Sequence, residues 1–165
     1  MVRVGLLSDT HSYLDPSLLP VLEDCDEIWH AGDLGSLDLL KQLQKHKKPL
    51  RVVYGNIDGH DIRIDVAERL IFRVEQMKIL MIHIGGYPGH YTAPVRKMLL
   101  EEKPDIYVCG HSHILKVIYD KQLQLLHINP GAAGREGFQK VRTMIRFTID
   151  HDKIKDLAII ELGKK

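Results

Sequence analysis

Short apolar runs, each closed by a polar or glycine-rich junction, organise the first third of the chain. Val2 to Leu7 reads as a buried strand that stops at Ser8-Asp9-Thr10-His11. After a polar turn, Ser17 to Glu23 is predicted as a short helix, with Ser17 its cap and Pro20 tolerated in the first turn. Glu27 to Ala31 reads as a second strand running into Gly32-Asp33. Leu37, Leu40 and Leu43 then recur at helical spacing, with Lys41, Lys45, Lys47 and Lys48 on the outer face and Pro49 as the stop. A third strand, Leu50 to Tyr54, ends in Gly55-Asn56-Ile57-Asp58-Gly59-His60. Three strand, loop and helix-like units in a row predict an α/β beginning.

From Asp65 the rhythm changes. Ala67 to Val74 and Lys78 to His83 are β-rich runs joined by Glu75-Gln76-Met77, which predicts an antiparallel hairpin. The second run closes on His83-Ile84-Gly85-Gly86, and a loop through Gly89, His90 and Tyr91 leads to a helix from Ala93 to Lys103, ended by Pro104. Asp105 to Cys109 is the next strand, and it runs into Gly110-His111-Ser112-His113. Leu115 to Tyr119, Leu123 to Ile128, Val141 to Ile149 and Ile154 to Leu162 are strand-like, with residues 129–134 the loop among them. No repeat, low-complexity tract or linker divides the chain, so residues 1–165 read as one domain.

Composition narrows the picture without adding a function. Hydrophobic residues make up 44% and charged residues 27%, the balance of an ordinary globular protein. A net charge of +1 leaves no basic footprint for a nucleic-acid duplex. Cys25 and Cys109 lack C-x-x-C spacing and read as reduced, buried residues. Arg3 interrupts the apolar start, no small-residue cleavage site follows, and no apolar run reaches the length of a membrane span. The expectation is a cytoplasmic protein off the membrane.

Chemistry enters at the strand ends. Asp9, His11, Asp33, Asn56, His83, His111 and His113 each follow a strand, and Asp33, Asn56 and His111 each follow a glycine. Ligands bind at the carboxyl ends of strands in α/β sheets, so these positions converge if the strands are neighbours. Four imidazoles, two carboxylates and one carboxamide suit two borderline divalent ions with one bridging carboxylate. Two such ions bring four positive charges; two aspartates and a bridging hydroxide remove three, and the net positive site attracts a phosphate. His111 and His113, two apart, both face the site if their backbone is extended.

In this order, Asp9-Thr10-His11, Gly32-Asp33, Gly55-Asn56-Ile57-Asp58, His83, Gly110-His111-Ser112-His113 and Asn129-Pro130-Gly131 resemble a calcineurin-like metallophosphoesterase of the small bacterial and archaeal phosphodiesterase type. The resemblance spans residues 2 to about 134. It implies a four-layer α/β/β/α sandwich of two mixed sheets, with metals at one edge. It implies that Asp9, His11 and His113 hold one ion, that Asn56, His83 and His111 hold the other, and that Asp33 bridges them. The function so implied is a metal-dependent phosphoric ester hydrolase acting on small phosphodiesters or nucleotides. Manganese is the first choice of metal, with iron, zinc and nickel open; Asp33, Asn56 and His83 act through the metals and the phosphate. A homo-oligomer is an open expectation.

Two residues depart from the family pattern. Many relatives carry a histidine directly after the metal-binding asparagine, where it can protonate the leaving group; here Ile57 stands there. The proton donor is then open: His60, His90, a metal-bound water, or none where the leaving group is already acidic. His83 is followed by Ile84-Gly85-Gly86 rather than by the more usual single glycine, which makes His90 a competing ligand. The retromer subunit that shares the fold also lacks the histidine after its asparagine, so a non-catalytic interaction scaffold is the alternative reading. His30 reads as a satisfied buried histidine or as a partner behind the metal ligands. Asp58 reads as a loop acid or a partner behind the ligands rather than a ligand, and His60, His90, Tyr91, Arg96 and Arg135 as exposed loop residues that can line a cleft.

Overall fold

Alternation within the strands decides the layering in the computed structural model, which describes residues 1–165. In β1 (Val2–Leu7), Val4 and Leu6 join one apolar cluster, whereas Leu7 joins another on the opposite face. In β2 (Glu27–His30), Trp29 and Ile28 divide in the same way. Side chains alternate across a strand, so a sheet with two apolar faces must be covered on both.

The first sheet has the order β10-β9-β1-β2-β3, with β3 (Leu50–Val52), β9 (Val141–Asp150) and β10 (Lys153–Lys164). β1, β2 and β3 are parallel; β9 and β10 add antiparallel strands at one side. The second sheet has the order β4-β5-β6-β8-β7, from β4 (Arg69–Val74), β5 (Met77–Ile82), β6 (Ile106–Val108), β7 (Leu115–Asp120) and β8 (Leu125–Pro130). β5, β6 and β8 are parallel, flanked by antiparallel β4 and β7.

Inward side chains of both sheets share one core, including Val4, Leu6, Trp29, Ile79, Met81, Val108 and Ile145. Trp29 sits edge-on to Phe72 and Phe147, with ring centroids 5.0 and 5.5 Å away. On the outer face of the first sheet, α1 (Leu19–Glu23), α2 (Leu37–Gln44) and α3 (His60–Arg63) bury Leu22, Leu39, Leu43 and Ile62 against Leu7, Ile28 and Met144. α4 (Ala93–Glu102) lays Val95 and Leu99 over Leu80, Ile82 and Tyr107 of the second. These are the four α/β/β/α layers that the sequence led us to expect. No helix is long and apolar enough to cross a membrane.

Local chemistry moves several boundaries. Asp15, not Ser17, makes the first cap: its Oδ1 accepts from the Ser17 amide at 2.9 Å and the Ser17 hydroxyl at 2.7 Å. A 3₁₀ turn, Pro16–Leu18, therefore precedes α1. α4 ends because Lys103 turns left-handed (φ 46°), with Pro104 disfavouring a right-handed helical residue before it. β8 begins at Leu125 rather than Leu123, because Asp120 Oδ1 gathers the amides of Gln122 and Leu123 into the turn. It also runs on through Asn129 and Pro130, where the sequence predicts a loop. α3 is too short for its periodicity to register in the sequence.

One buried ion pair ties the chain's two ends together. Arg142 on β9 donates to Asp15 Oδ2 at 2.6 Å and to the carbonyl of Leu162 at 2.7 Å. Burial works to raise the Asp15 pKa, but the hydrogen bonds from Ser17 and Arg142 outweigh it and bring the carboxyl down to about 2. A folded pKa below the unfolded one contributes stability that is complete above about pH 4 and is lost as pH falls through about 2. Arg142→Ala strands the carboxylate and is expected to cost about 3 kcal/mol in urea denaturation at pH 7. The gap between variant and wild type should narrow by pH 3; an unchanged gap would assign the loss to packing alone.

Candidate metal centre

Parallel strands of both sheets deliver their carboxyl ends to one edge of the sandwich. The segments after β1 and β2 stay paired past the sheet: the Asp9 amide donates to the Gly32 carbonyl at 2.9 Å and the His11 amide to that of Asp33 at 3.1 Å. The second sheet meets them there. His83, just past β5, donates Nδ1–H to the Ala31 carbonyl at 2.7 Å, and the His111 amide donates to Asp9 Oδ2 at 3.1 Å. Two glycines permit close packing here, Gly55 among the loops of the first sheet and Gly110 between the two sheets. A Cβ on Gly55 would lie 2.0 Å from Asp33 Oδ1, and one on Gly110 would lie 2.1 Å from Ser8 Oγ.

Six of the seven residues singled out in the sequence fall into two donor groups. Asp9, His11 and His113 form one, and Asp33, His83 and His111 the other, with donor atoms inside each within 4.8 Å of one another. His113 Nε2 is 3.1 Å from Asp9 Oδ1, and His83 Nε2 is 3.2 Å from Asp33 Oδ2. The seventh, Asn56, places Oδ1 3.2 Å from His83 Nε2 and 3.0 Å from His111 Nδ1. Asp33 Oδ2 is also 3.6 Å from His11 Nε2, so one oxygen faces an imidazole of each group. Asp9, His11, Asp33, His111 and His113 all have positive φ, between 45° and 69°. Asp and His tolerate this region better than most residues, and such clusters mark functional sites. The extended backbone expected at His111 and His113 is therefore replaced by two left-handed residues, which still turn one ring to each group.

Proton bookkeeping shows what the donors lack. Carbonyls only accept, so His83 Nδ1 carries its proton toward Ala31, and a neutral His83 aims the Nε2 lone pair at Asp33. His113 repeats the arrangement, with Nδ1 donating to Gln139 Oε1 at 2.8 Å and Nε2 facing Asp9. Lone pairs then oppose carboxylate oxygens unless a cation lies between them. Asp9 Oδ1 and His11 Nε2 are buried without a hydrogen-bond partner. One oxygen of each carboxylate is tied down: Ser8 Oγ donates to Asp9 Oδ2 at 2.6 Å, and the Ile57 amide to Asp33 Oδ1 at 3.1 Å. Asp9 raises the His113 pKa; burial pulls His83 downward, but Asp33 and Asp9 outweigh it and raise that pKa too. A proton is one cation that answers this demand, and a divalent metal is a better one.

Residues behind the donors hold the loops. His30 is fully buried, accepts from the Gly32 amide at Nδ1 (3.1 Å) and meets Thr10 Oγ1 at Nε2 (2.9 Å). It is thus both the satisfied buried histidine and the tie between the Asp9 and Asp33 loops. Burial lowers its pKa to about 4, which keeps it neutral. Asp58 accepts from the amides of Leu34, Gly35 and Gly55, bracing the Asp33 and Asn56 loops together. Asn129 donates to the Gly110 carbonyl and to Ser112 Oγ, which fixes the His111 turn. Ser8 and Gln139 went unremarked in the sequence: Ser8 adjoins Asp9 as a cue, whereas nothing local marks Gln139, which lies 26 residues from His113.

Other candidates stay outside the centre. His60 lies exposed on α3, and His90 packs against Tyr87 with ring centroids 4.8 Å apart; neither joins a donor group. Tyr91 donates to Asp120 at 2.7 Å, and Arg96 lines a hollow beside them. Arg135 stacks on Tyr13 and donates to its hydroxyl.

Comparison with known proteins identifies the family and the fold. A family model described as the calcineurin-like phosphoesterase superfamily domain matches residues 2–152. A probable metallophosphoesterase of Methanothermobacter thermautotrophicus is 30% identical over 97% of this chain and 92% of its own length. Among solved structures, an archaeal phosphodiesterase superposes with a TM-score of 0.77 at 20% identity, covering 97% of this chain and 99% of that one. Vps29 of Chaetomium thermophilum superposes with a TM-score of 0.76 at 12% identity over 100% of both chains. The match over most of the chain and the similarity to the Methanothermobacter protein show that the chain belongs to the calcineurin-like phosphoesterase superfamily.

Proposed function

We propose that the protein is a phosphodiesterase that works with two divalent ions on small phosphodiesters or nucleotides. Manganese is the first choice, with iron, zinc and nickel as alternatives; the imidazole-rich donor set disfavours magnesium alone. The observation that carries the reading is Asp33, whose Oδ2 faces His11 of one donor group and His83 of the other while Oδ1 is held by the Ile57 amide. A carboxylate so placed suits a bridge. Asp9, His11 and His113 would hold one ion; Asn56, His83 and His111, with Asp33 shared, the other. Bound there, the ions supply an activated water and charge to clamp phosphoryl oxygens.

The chain's own residues set the stage for that chemistry. Asp9 and Asp33 each spend one oxygen on protein hydrogen bonds and turn the other inward. His83 and His113 are locked as Nδ1–H tautomers, so each presents an unprotonated Nε2. Asn56 adds a donor without adding negative charge, which leaves the loaded site attractive to a phosphate. Ile57 cannot donate a proton, and His60 and His90 lie outside both groups. Substrates with acidic leaving groups, which need no protonation, are therefore favoured.

Ile57 also supports a second reading, an interaction scaffold without turnover. Hydrolysis of bis-p-nitrophenyl phosphate separates the two. Wild type with manganese should turn over, and Asp33→Ala should lose more than about 100-fold, beyond what outer partners of a metal site cost. Absence of turnover with manganese, iron, zinc, nickel and magnesium alike would favour the scaffold.

Gln139 offers a check that does not depend on activity. Gln139→Ala removes the acceptor that fixes His113, and manganese affinity by calorimetry should fall about tenfold at one of two sites. Gln139→Glu keeps the acceptor for His113 but gives up the bonds from Nε2 to the Gly134 and Glu136 carbonyls, so its affinity should fall between wild type and Gln139→Ala. Equal affinity in all three would remove Gln139 from the role of positioning His113.

A further inference from the structure

Four strands border the two sheets, and an edge strand offers unpaired amides and carbonyls to any chain that can pair with it. Three of the four are blunted. β3 is only three residues long. β10 is interrupted by two register shifts against β9 and by a left-handed Asp156, φ 53°. β4 carries Arg69 and Arg73 on one face, so pairing with a copy of itself across Ile71 would oppose like charges. β7 has none of these devices. It keeps regular register with β8 from Leu115 to Asp120 and contains no proline. Along it Val117, Ile118 and Tyr119 are 37, 45 and 56% exposed.

We propose that β7 pairs with β7 of a second copy of this chain, antiparallel and about a two-fold axis at Ile118. Charge selects both the partner and the register. Lys116 rests its ammonium 3.8 Å from the centroid of the Tyr87 ring, with no carboxylate in ion-pair contact. Asp120 accepts from the Tyr91 hydroxyl and from the Gln122 and Leu123 amides, with no cation among its partners. A carboxylate has about four acceptor positions, so one remains. Lys116, Ile118 and Asp120 share the outer face of the sheet, because Leu125, opposite Asp120, turns toward α4. About an axis at Ile118, Lys116 of each copy stands opposite Asp120 of the other. Ile118 then meets its own copy, and Val117 meets Tyr119 on the inner face. A register shifted by one residue loses both charge pairs, and a parallel pairing sets Lys116 beside Lys116. The two five-stranded sheets become one across the protomers, through a contact small enough to dissociate at about micromolar concentration. No β7 residue belongs to a donor group, so the pairing stands apart from the metal chemistry.

Sedimentation velocity of the full chain from about 1 to about 200 μM tests this. Wild type should pass from monomer to dimer across that range. Ile118→Lys sets two ammonium groups against each other at the axis, and Lys116→Glu sets a carboxylate against Asp120 of the copy; each should weaken the dimer at least about tenfold. Thermal midpoints equal to wild type would establish that both variants are folded. Cysteine variants read the register directly and decide the matter should a charged variant not fold. Cys25 and Cys109 are buried, so a disulfide-linked dimer of Ile118→Cys formed in air comes from position 118. Residues opposite each other there have Cα atoms about 5 Å apart, within a disulfide's reach. Tyr119→Cys should not link, because its copies lie about 8 Å apart in this register. A monomer at every concentration, a dimer indifferent to both charged variants, or linkage through Tyr119→Cys as readily as through Ile118→Cys would overturn the proposal.

Discussion

The bond from His83 Nδ1–H to the Ala31 carbonyl is the contact on which the functional edge depends. It runs from the end of the second sheet to the end of the first. It sets the imidazole tautomer, so the nitrogen that faces Asp33 is the one with a lone pair. It also closes the edge, because Gly32 follows Ala31 with φ 101° and a Cβ there would sit 2.6 Å from His83 Nδ1. One hydrogen bond thus links sheet packing to ligand chemistry. Displacing either sheet by an ångström would break the bond and the donor group together.

Most of the fold was legible because burial and periodicity are local properties of strands. Val4, Leu6 and Trp29 alternate with residues facing the helices, and the switch from parallel units to a hairpin is visible at Asp65. What escaped was decided by side chains reaching the backbone. Asp15 took the cap expected of Ser17, and Asp120 shortened β8 at its start. α3 is a single turn held by Ile62, too short for any periodic signal.

The donor residues were legible for a different reason: each ends a strand, and strand ends converge in this class of fold. Their backbone was not. Nothing in Gly110-His111-Ser112-His113 announces that both histidines turn left-handed, because that conformation is imposed from outside. Asn129 grips Gly110 and Ser112, and Asp9 takes the His111 amide. Asp58 braces the first sheet's loops in the same manner, through the distant amides of Leu34 and Gly35, and His30 does so through the hydroxyl of Thr10. Such ties leave a single Asp, Asn or His in the sequence and become readable only when both partners are placed.

Stability and function pull against each other along this edge. Two buried carboxylates, strained positive-φ backbone at five donor positions and partnerless atoms on Asp9 and His11 all cost folding free energy. The core between the sheets carries that cost, and it does so without approaching the donors: Trp29 and its aromatic neighbours lie on strands, one or more residues before the loops begin. Cation binding reverses the sign of the electrostatic part, since charge that repels when empty-handed becomes attraction once shared. Any ligand that binds the folded state alone stabilises it in proportion to its affinity. The rigidity of the sandwich therefore does more than display the donors: it holds them in an arrangement that a flexible chain would relax away, with the unrelieved charge that the proposed cations would answer.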